Sequence, residues 1–165
     1  EDLQPIAWQG IAVFDGNHER RLQRTEDVQY SPAEQLAQRL GLAFLGLHGH
    51  IVHKLGKQTY HHFHHHGRGA ARTDGAKLNT GEAIAGTVTD ELVTVGHLHI
   101  ELSAKLLRRS VDEAGAVGNV TQRLVMLPSF LGYRGYAADN AYRPSALGAC
   151  GIELGVKEHK IRVIE

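Results

Sequence analysis

The sequence has a single cysteine, Cys150, with one methionine and one tryptophan among its 165 residues, and its positive and negative side chains balance at 18 each. One cysteine excludes an internal disulfide framework and a thiolate zinc cage, so we expect a reducing, cytoplasmic compartment. Zero formal charge gives no overall field toward nucleic acid or membrane, so any basic binding patch must be local. No run of about 18 apolar residues is present, and no secretion signal is recognised at the start, so we expect no membrane partner.

Histidine, by contrast, is in clear excess, with 12 residues in the chain. Imidazole binds metals and exchanges protons near neutral pH, so the histidines are the first candidates for function. The length suits one compact domain, residues 1–165, with a sizeable core.

Alternating strand and helix patterns predict an α/β fold. The pattern predicts a helix over Pro32–Leu40, because apolar residues recur at helical spacing between an N-capping Ser31 and a terminating Gly41. A second, short helix is expected from Asn79 or Thr80 to Gly86. Residues 20–30 and 67–75 are predicted to be loops, and 128–144 an irregular stretch. The predicted strands are 11–14, 50–55, 58–65, 92–95, 100–108, 120–126, 151–156 and 160–164.

Three polar clusters follow predicted strands, where open α/β sheets place their ligand sites. The first is Gly16-Asn17-His18-Glu19. Asn17 offers a neutral oxygen ligand and His18 a group that transfers protons. An ordinary Asp-Gly-Asn turn is the alternative interpretation.

The second cluster is the histidine-rich run from Tyr60 to Gly67. Side chains alternate along an extended strand, so one face carries His62, His64 and His66 and the other carries His61, Phe63 and His65. We interpret His61, His62 and His64 as fillers of a half-exposed sheet face. His66 differs because it ends the strand beside Gly67, which leaves room for a metal or phosphate to approach.

The third cluster is Gly96-His97-Leu98-His99. Two histidines two residues apart at a strand end can point the same way with Leu98 buried behind them, and converging imidazoles are typical of first-row metal sites. The remaining run of His48, His50 and His53 is interpreted as structural, and His159 as exposed.

In this order, the three clusters resemble the last three of the five motifs of the calcineurin-like metallophosphoesterases. The segment Leu127-Pro128-Ser129-Phe130-Leu131 resembles the strand and turn that follow in phage and prokaryotic members. The resemblance implies a two-sheet β-sandwich flanked by helices. It also implies a phosphatase, phosphodiesterase or nuclease whose two divalent ions, of Mn, Fe, Zn, Ni or Mg, activate a water that attacks phosphorus.

The resemblance also implies a metal ligand set. Asn17, His66 and His97 would bind the second metal, and His99 would bind the first. The substrate would be a phosphate ester, including nucleotides and nucleic acids.

Four other residues receive roles by the same resemblance. His18 would stabilise the transition state or protonate the leaving oxygen, and Glu19 would orient its imidazole. Arg68 and Arg72 would hold phosphate oxygens, although solvated loop charges are the alternative for each.

The family's first two motifs, which carry the metal-bridging aspartate, have no counterpart here, since only fifteen residues precede Gly16. We expect that the N-terminal strands belong to a longer enzyme and are missing, rather than that this is a shortened relative with a degenerate site. Asp15 is too close to Asn17 in the sequence to align with the bridging aspartate of the family. A carboxylate displaced from the family's position is left open as an alternative ligand.

Two other functions compete with the hydrolase. A non-catalytic structural or interaction module, for example of a phage particle or larger assembly, would keep the fold with a degenerate metal site. A histidine-rich storage or sensor protein would bind several ions along residues 61–66. The oligomeric state is not predicted.

Overall fold

The computed structural model describes residues 9–25, 29–111, 114–130 and 147–164, with the single positions 132, 135, 139 and 144. The chain divides into two compact units, Glu1–Gly49 and His50–Glu165. Helices and strands occur in both, which confirms a mixed α/β protein. None of the helices in the described ranges is long and apolar enough to cross a membrane.

The first unit pairs two short strands beside two helices. Its elements are β1 (Ala12–Val13), α1 (Asn17–Thr25), α2 (Pro32–Leu40) and β2 (Ala43–Phe44), with β1 parallel to β2. The predicted helix is confirmed, because α2 has the predicted bounds. The Ser31 hydroxyl accepts a hydrogen bond from the Glu34 N–H at 3.1 Å, and Gly41 ends the helix at φ 67°.

Helix α1 corrects the sequence prediction, which placed a turn at Asn17 and a polar loop over residues 20–30. Only Leu22 is apolar in this helix, so no hydrophobic stripe reveals it. A weaker signal was present: Glu19 lies in the first turn and Arg24 in the last, where each charge complements the helix dipole.

The second unit is built on a five-stranded sheet in the order β3-β4-β5-β7-β6, with a separate two-stranded sheet β8-β9. Strands β4, β5 and β7 are parallel, and β6 is antiparallel to β7. The bounds are β3 (His48–Leu55), β4 (Gln58–His65), α3 (Asp74–Ala85), β5 (Leu92–Val95), β6 (Leu102–Val111), β7 (Val117–Met126), β8 (Gly151–Leu154) and β9 (Ile161–Ile164).

The hydrophobic core of this unit lies between α3 and one face of the sheet. All four residues of β5 are buried, because this strand runs between β4 and β7. Burial of this apolar surface is the main stabilising term for the unit. The core cluster consists of Phe63, Ile84, Ala85, Val93, Val95, Leu98, Leu124 and Met126.

Several predicted boundaries differ from the structure in this unit, and the largest differences are at α3 and at the β6–β7 hairpin. Helix α3 begins at Asp74, inside the predicted loop, because the Thr73 hydroxyl accepts a hydrogen bond from the Ala76 N–H at 3.3 Å and caps the first turn. The β6–β7 hairpin is longer than predicted, with pairing that reaches Val111 and Val117. Much of the predicted irregular stretch over 128–144 lies outside the described residues.

Tyr60, a buried residue of β4, anchors the β8–β9 hairpin. Its hydroxyl donates a hydrogen bond to the Gly155 carbonyl at 2.6 Å and accepts one from the Lys160 N–H at 3.0 Å. Both backbone groups lie in the connection between β8 and β9. One side chain therefore ties the C-terminal hairpin to the main sheet.

Replacing this hydroxyl tests the anchor. We expect Tyr60→Phe to lower the free energy of unfolding by about 1 to 2 kcal/mol in urea denaturation, because it leaves a carbonyl and an N–H without their partner. The control Tyr30→Phe, at an exposed position, should change it by less than about 0.5 kcal/mol. Equal losses in the two variants would contradict the anchor.

Candidate functional site

The candidate site of the second unit lies where β4 and β5 end. These parallel strands finish at His65 and Val95, and the Gly96 N–H donates to the His65 carbonyl at 3.1 Å. Beyond them, the Leu127 N–H donates to the Val95 carbonyl at 2.8 Å. The segments leaving three parallel strands therefore start side by side, at the sheet edge where α/β proteins bind ligands.

Three of the predicted metal ligands meet at this edge. The ring centroids of His66 and His97 are 5.0 Å apart, and those of His97 and His99 are 6.4 Å apart. Leu98 between the last two is buried, as the sequence predicted. His66 and His97, 31 positions apart along the chain, thus converge because their strands are neighbours.

The backbone of this cluster is strained. Among the described residues, the non-glycine residues with positive φ are His97 at 63° and His99 at 50°. The Leu98 N–H donates to the Gly96 carbonyl at 2.7 Å, which closes a tight three-residue turn around His97. A left-handed non-glycine residue costs about 1 to 3 kcal/mol, and such residues concentrate at functional sites.

Gly67 lets the two histidine-bearing loops touch. A Cβ added to Gly67, which has φ +95°, would lie 2.5 Å from the Gly96 carbonyl oxygen and 2.9 Å from the His97 Cβ. The sequence had suggested that this glycine leaves room for a metal or phosphate. Instead, the backbone after β5 fills that space, and the glycine positions His66 against His97.

The ring of His97 is held in a defined tautomer. Its Nε2 lies 3.0 Å from the Gly69 carbonyl oxygen. Since a carbonyl only accepts, Nε2 carries the proton and Nδ1 is the lone-pair nitrogen of the neutral ring. Metal-bound histidines characteristically donate their second nitrogen to such a carbonyl. Sequence reasoning missed Gly69, because a backbone acceptor has no residue-type signal.

The predicted substrate residues belong to the same loop. Arg68 and Arg72 flank Gly69, and both are exposed. Their charges are therefore available to an anion, which is the property that the resemblance requires of them. Solvated loop charges have the same exposure, so their role stays a prediction.

The residues Asn17, His18 and Glu19 belong to the first unit, in the first turn of α1. Asn17 and His18 are exposed, and Glu19 is half-buried. Exposed side chains at the start of a helix are accessible to ligands. The metal and proton-transfer roles of these residues stay predictions.

Asp15, just before this turn, has an unusual environment. Its side chain is 3% exposed, and one carboxylate oxygen accepts a hydrogen bond from the Arg20 Nε at 3.2 Å. The other oxygen, Oδ1, is buried without a hydrogen-bond partner among the described residues. A buried carboxylate oxygen normally has a hydrogen-bond donor or a cation beside it. Asp15 is therefore the candidate carboxylate ligand in the first unit.

A buried polar network runs through β4 and β5. Thr94 on β5 is buried, and its hydroxyl lies 2.8 Å from His62 Nε2 and 2.9 Å from His64 Nδ1. His62 Nδ1 in turn lies 3.2 Å from His53 Nε2. The predicted sharing of one strand face by His62 and His64 is confirmed. The hydroxyl has a single proton, so it can donate to only one of its two histidines and accepts from the other.

Burial, and after it the neighbouring His53, lowers the pKa of His62 to about 4, against an opposing effect of Asp90. Burial, followed by His62, His66 and His65, also lowers the pKa of His64 to about 4. Removing imidazolium from water is unfavourable, so both rings are neutral at pH 7. Two histidines of β3 have polar partners, which supports the structural role predicted for them: His50 lies 3.0 Å from Asp90, and His53 lies 3.2 Å from His62. His159 is exposed, also as predicted.

The cluster of His66, His97 and His99 fits a metal in donor type. Imidazole nitrogen suits Mn, Fe, Zn and Ni, whereas Mg²⁺ takes oxygen ligands, so these rings favour a transition ion. Within the described ranges, no group of three or more histidine, cysteine, aspartate or glutamate side chains is arranged to hold an ion. The fit therefore rests on the imidazole donors, the Gly69 contact and the backbone strain.

Comparison of the chain with models of protein families, with curated proteins and with solved structures finds no match in any of the three.

Proposed function

We propose that this protein is a metal-dependent phosphoester hydrolase of the calcineurin-like metallophosphoesterase type, acting as a phosphatase, phosphodiesterase or nuclease at a dinuclear centre. The observation that carries the proposal is the strained Gly-His-Leu-His turn. Both of its histidines have positive φ; the ring centroid of His97 lies 5.0 Å from that of His66 and 6.4 Å from that of His99. Left-handed non-glycine residues concentrate at functional sites, so two of them in one turn support a ligand-positioning role.

The proposed architecture is a two-sheet sandwich flanked by helices. Two features of the second unit support it: helix α3 covers one face of the five-stranded sheet, and the β8–β9 sheet is attached through Tyr60. In a sandwich, the second sheet would cover the face opposite α3.

In the proposed reaction, His66, His97 and His99 supply imidazole ligands, and the Gly69 carbonyl keeps the His97 proton on Nε2. Bound divalent ions would generate a hydroxide and polarise the phosphoryl oxygens. Arg68 and Arg72 would bind the remaining phosphate oxygens.

The test is Mn²⁺-dependent hydrolysis of p-nitrophenyl phosphate and bis-p-nitrophenyl phosphate by the purified chain and by any longer product of its gene. We expect His97→Ala to lower kcat/KM by about 100-fold or more, the loss typical when a metal ligand or its support is removed. His61→Ala is the matched control, since His61 is an exposed strand residue outside the cluster, and should leave the rate unchanged. Hydrolysis that is unaffected by His97→Ala would exclude this site.

A non-catalytic module is the second candidate, favoured by the lack of a complete ligand group among the described residues. Elemental analysis separates the possibilities. The hydrolase requires about two ions per chain, and His97→Ala should remove the second ion, which His97 is proposed to hold. The module would bind none or one. Several ions retained by His97→Ala would instead indicate histidine-rich storage along residues 61–66.

A further inference from the structure

A cavity of about 290 Å³ opens beside the candidate site, in the second unit. One wall consists of Glu101, Leu102 and Ser103 at the start of β6, and Val125 and Met126 at the end of β7. The space is close to the lower size limit of small-ligand pockets, which start at roughly 300 Å³. It can therefore hold a single ring system or a group of similar size.

The opposite wall is the C-terminal hairpin that Tyr60 anchors. Cys150, just before β8, and Val163 of β9 complete the lining. Both side chains are half-buried. The cavity thus lies between the five-stranded sheet and the β8–β9 sheet.

The location places this cavity next to the histidine cluster. Glu101 follows His99 by two residues, so their α-carbons are at most about 7 Å apart. Met126 is the last residue of β7, and the residue after it bonds to Val95, immediately before Gly96-His97. A phosphate at the cluster would have its ester substituent within reach of the cavity.

The chemistry of the lining selects a neutral, flat group. Leu102, Val125, Met126 and Val163 offer apolar contact, and the residues named above include no basic side chain. A phosphate would find no cation here, whereas a heterocycle would bury its ring. The Glu101 carboxylate accepts hydrogen bonds, so it favours a ring that carries an N–H donor.

We propose that this cavity binds the base of a nucleoside leaving group, a heterocycle with an exocyclic amino group, while the sugar oxygen of that nucleoside is the atom released from phosphorus as water adds. The inference rests on the proposed function for its place in a reaction, since it assigns the substrate class of the same site. The binding itself requires no metal and no turnover. The two ideas can therefore fail separately.

The lining holds the only methionine and the only cysteine of the chain. Protein labelled with ¹³C-methyl methionine should therefore show a single resonance, that of Met126. We expect adenosine to shift it, with half-saturation below about 1 mM, the order expected for a ligand of this size. Saturating adenosine should also slow the reaction of Cys150 with a thiol reagent several-fold.

Two comparisons define specificity. Glu101→Gln should weaken adenosine about fivefold, the loss expected for one charge-assisted hydrogen bond at a solvent-exposed rim. The same change should leave purine riboside, which lacks the amino group, unaffected. Val163→Trp should fill the cavity and abolish the shift, whereas Val117→Trp, at an exposed position of β7, should not.

An unshifted Met126 resonance and an unprotected Cys150 at 10 mM adenosine would overturn the subsite, even if the protein hydrolyses phosphate esters. Equal weakening of adenosine and purine riboside by Glu101→Gln would overturn the assigned amino contact. The thiol measurement uses the unmodified chain. It therefore tests the proposal even if the Val163→Trp variant folds poorly. Nucleoside binding without any hydrolysis would instead count against the proposed function alone.

Discussion

Gly67→Ala should lower the free energy of unfolding of the second unit by about 3 kcal/mol. Two effects add: a side chain at φ +95° is strained by about 1 to 2 kcal/mol, and an overpacked contact costs about 1 to 3 kcal/mol more. The contact is severe because the new Cβ would lie 2.5 Å from the Gly96 carbonyl oxygen. Backbone cannot move aside as the end of a flexible side chain can.

Gly69→Ala is the matched control. Gly69 has φ +93°, almost the angle of Gly67, but an added Cβ would meet nothing within 4 Å. This variant should show only the strain, about 1 to 2 kcal/mol. Both losses can be measured by urea denaturation followed through the Met126 methyl resonance, which reports on the second unit alone. Equal losses would show that the approach of the two loops is not as close as described.

The Gly67 substitution also tests the site. Pushing the loop after β4 away from Gly96 would separate His66 from His97, whose rings are now 5.0 Å apart. Metal binding should therefore weaken in Gly67→Ala even where the protein remains folded. Gly69→Ala keeps the backbone carbonyl that accepts from His97 and should bind metal nearly as well as the parent chain.

Acid should destabilise the second unit steeply between pH 6.5 and 4. In this range the unfolded chain takes up protons at His62 and His64, whereas the folded chain, in which both pKa values are lowered to about 4, does not. Stability is thus fully present above pH 6.5 and is lost as the pH falls. At pH 4 each histidine accounts for about 3 kcal/mol, at 1.4 kcal/mol per pKa unit.

Together, the losses from His62 and His64 approach the total stability of a small domain, which is roughly 5 to 15 kcal/mol. We therefore expect the second unit to unfold at mildly acidic pH. Urea denaturation at a series of pH values measures it. His62→Gln should flatten the profile by about half, since one of the two groups is removed, whereas His61→Gln, at an exposed position, should not. NMR titration of the native rings gives an independent check, and pKa values near 6.5 for both would contradict the burial argument.

The neutral hydrogen-bond network explains why the sheet tolerates two half-buried histidines here. Thr94 serves both rings with one hydroxyl, and His53 serves the far side of His62. A buried polar group without a partner would cost about 1 to 3 kcal/mol. The sequence correctly placed His62 and His64 on one sheet face, but it did not reveal Thr94 as their hydrogen-bond partner. A single threonine in an apolar run indicates a strand and gives no sign of its partners.

Local elements followed directly from local signals. Helix α2 was predicted to the residue, because Ser31 and Gly41 satisfy its ends and its apolar residues have helical spacing. Strands β4 and β5 were predicted with the bounds that the structure shows. Helix α1 was missed for the converse reason: it has one apolar residue, so its stability comes from charge placement and surroundings that periodicity does not report.

The order of motifs and the position of each histidine after a strand were readable from the amino acids alone, because strand endings and turn residues are local properties. The meeting of His66 with His97 was not, since it depends on which strands become neighbours. The left-handed φ of His97 and His99, the Gly69 carbonyl that orients one ring and the cavity beside Glu101 arise from contacts between distant segments. Tertiary packing decides such features because the energy that holds a strained turn comes from the segments packed around it.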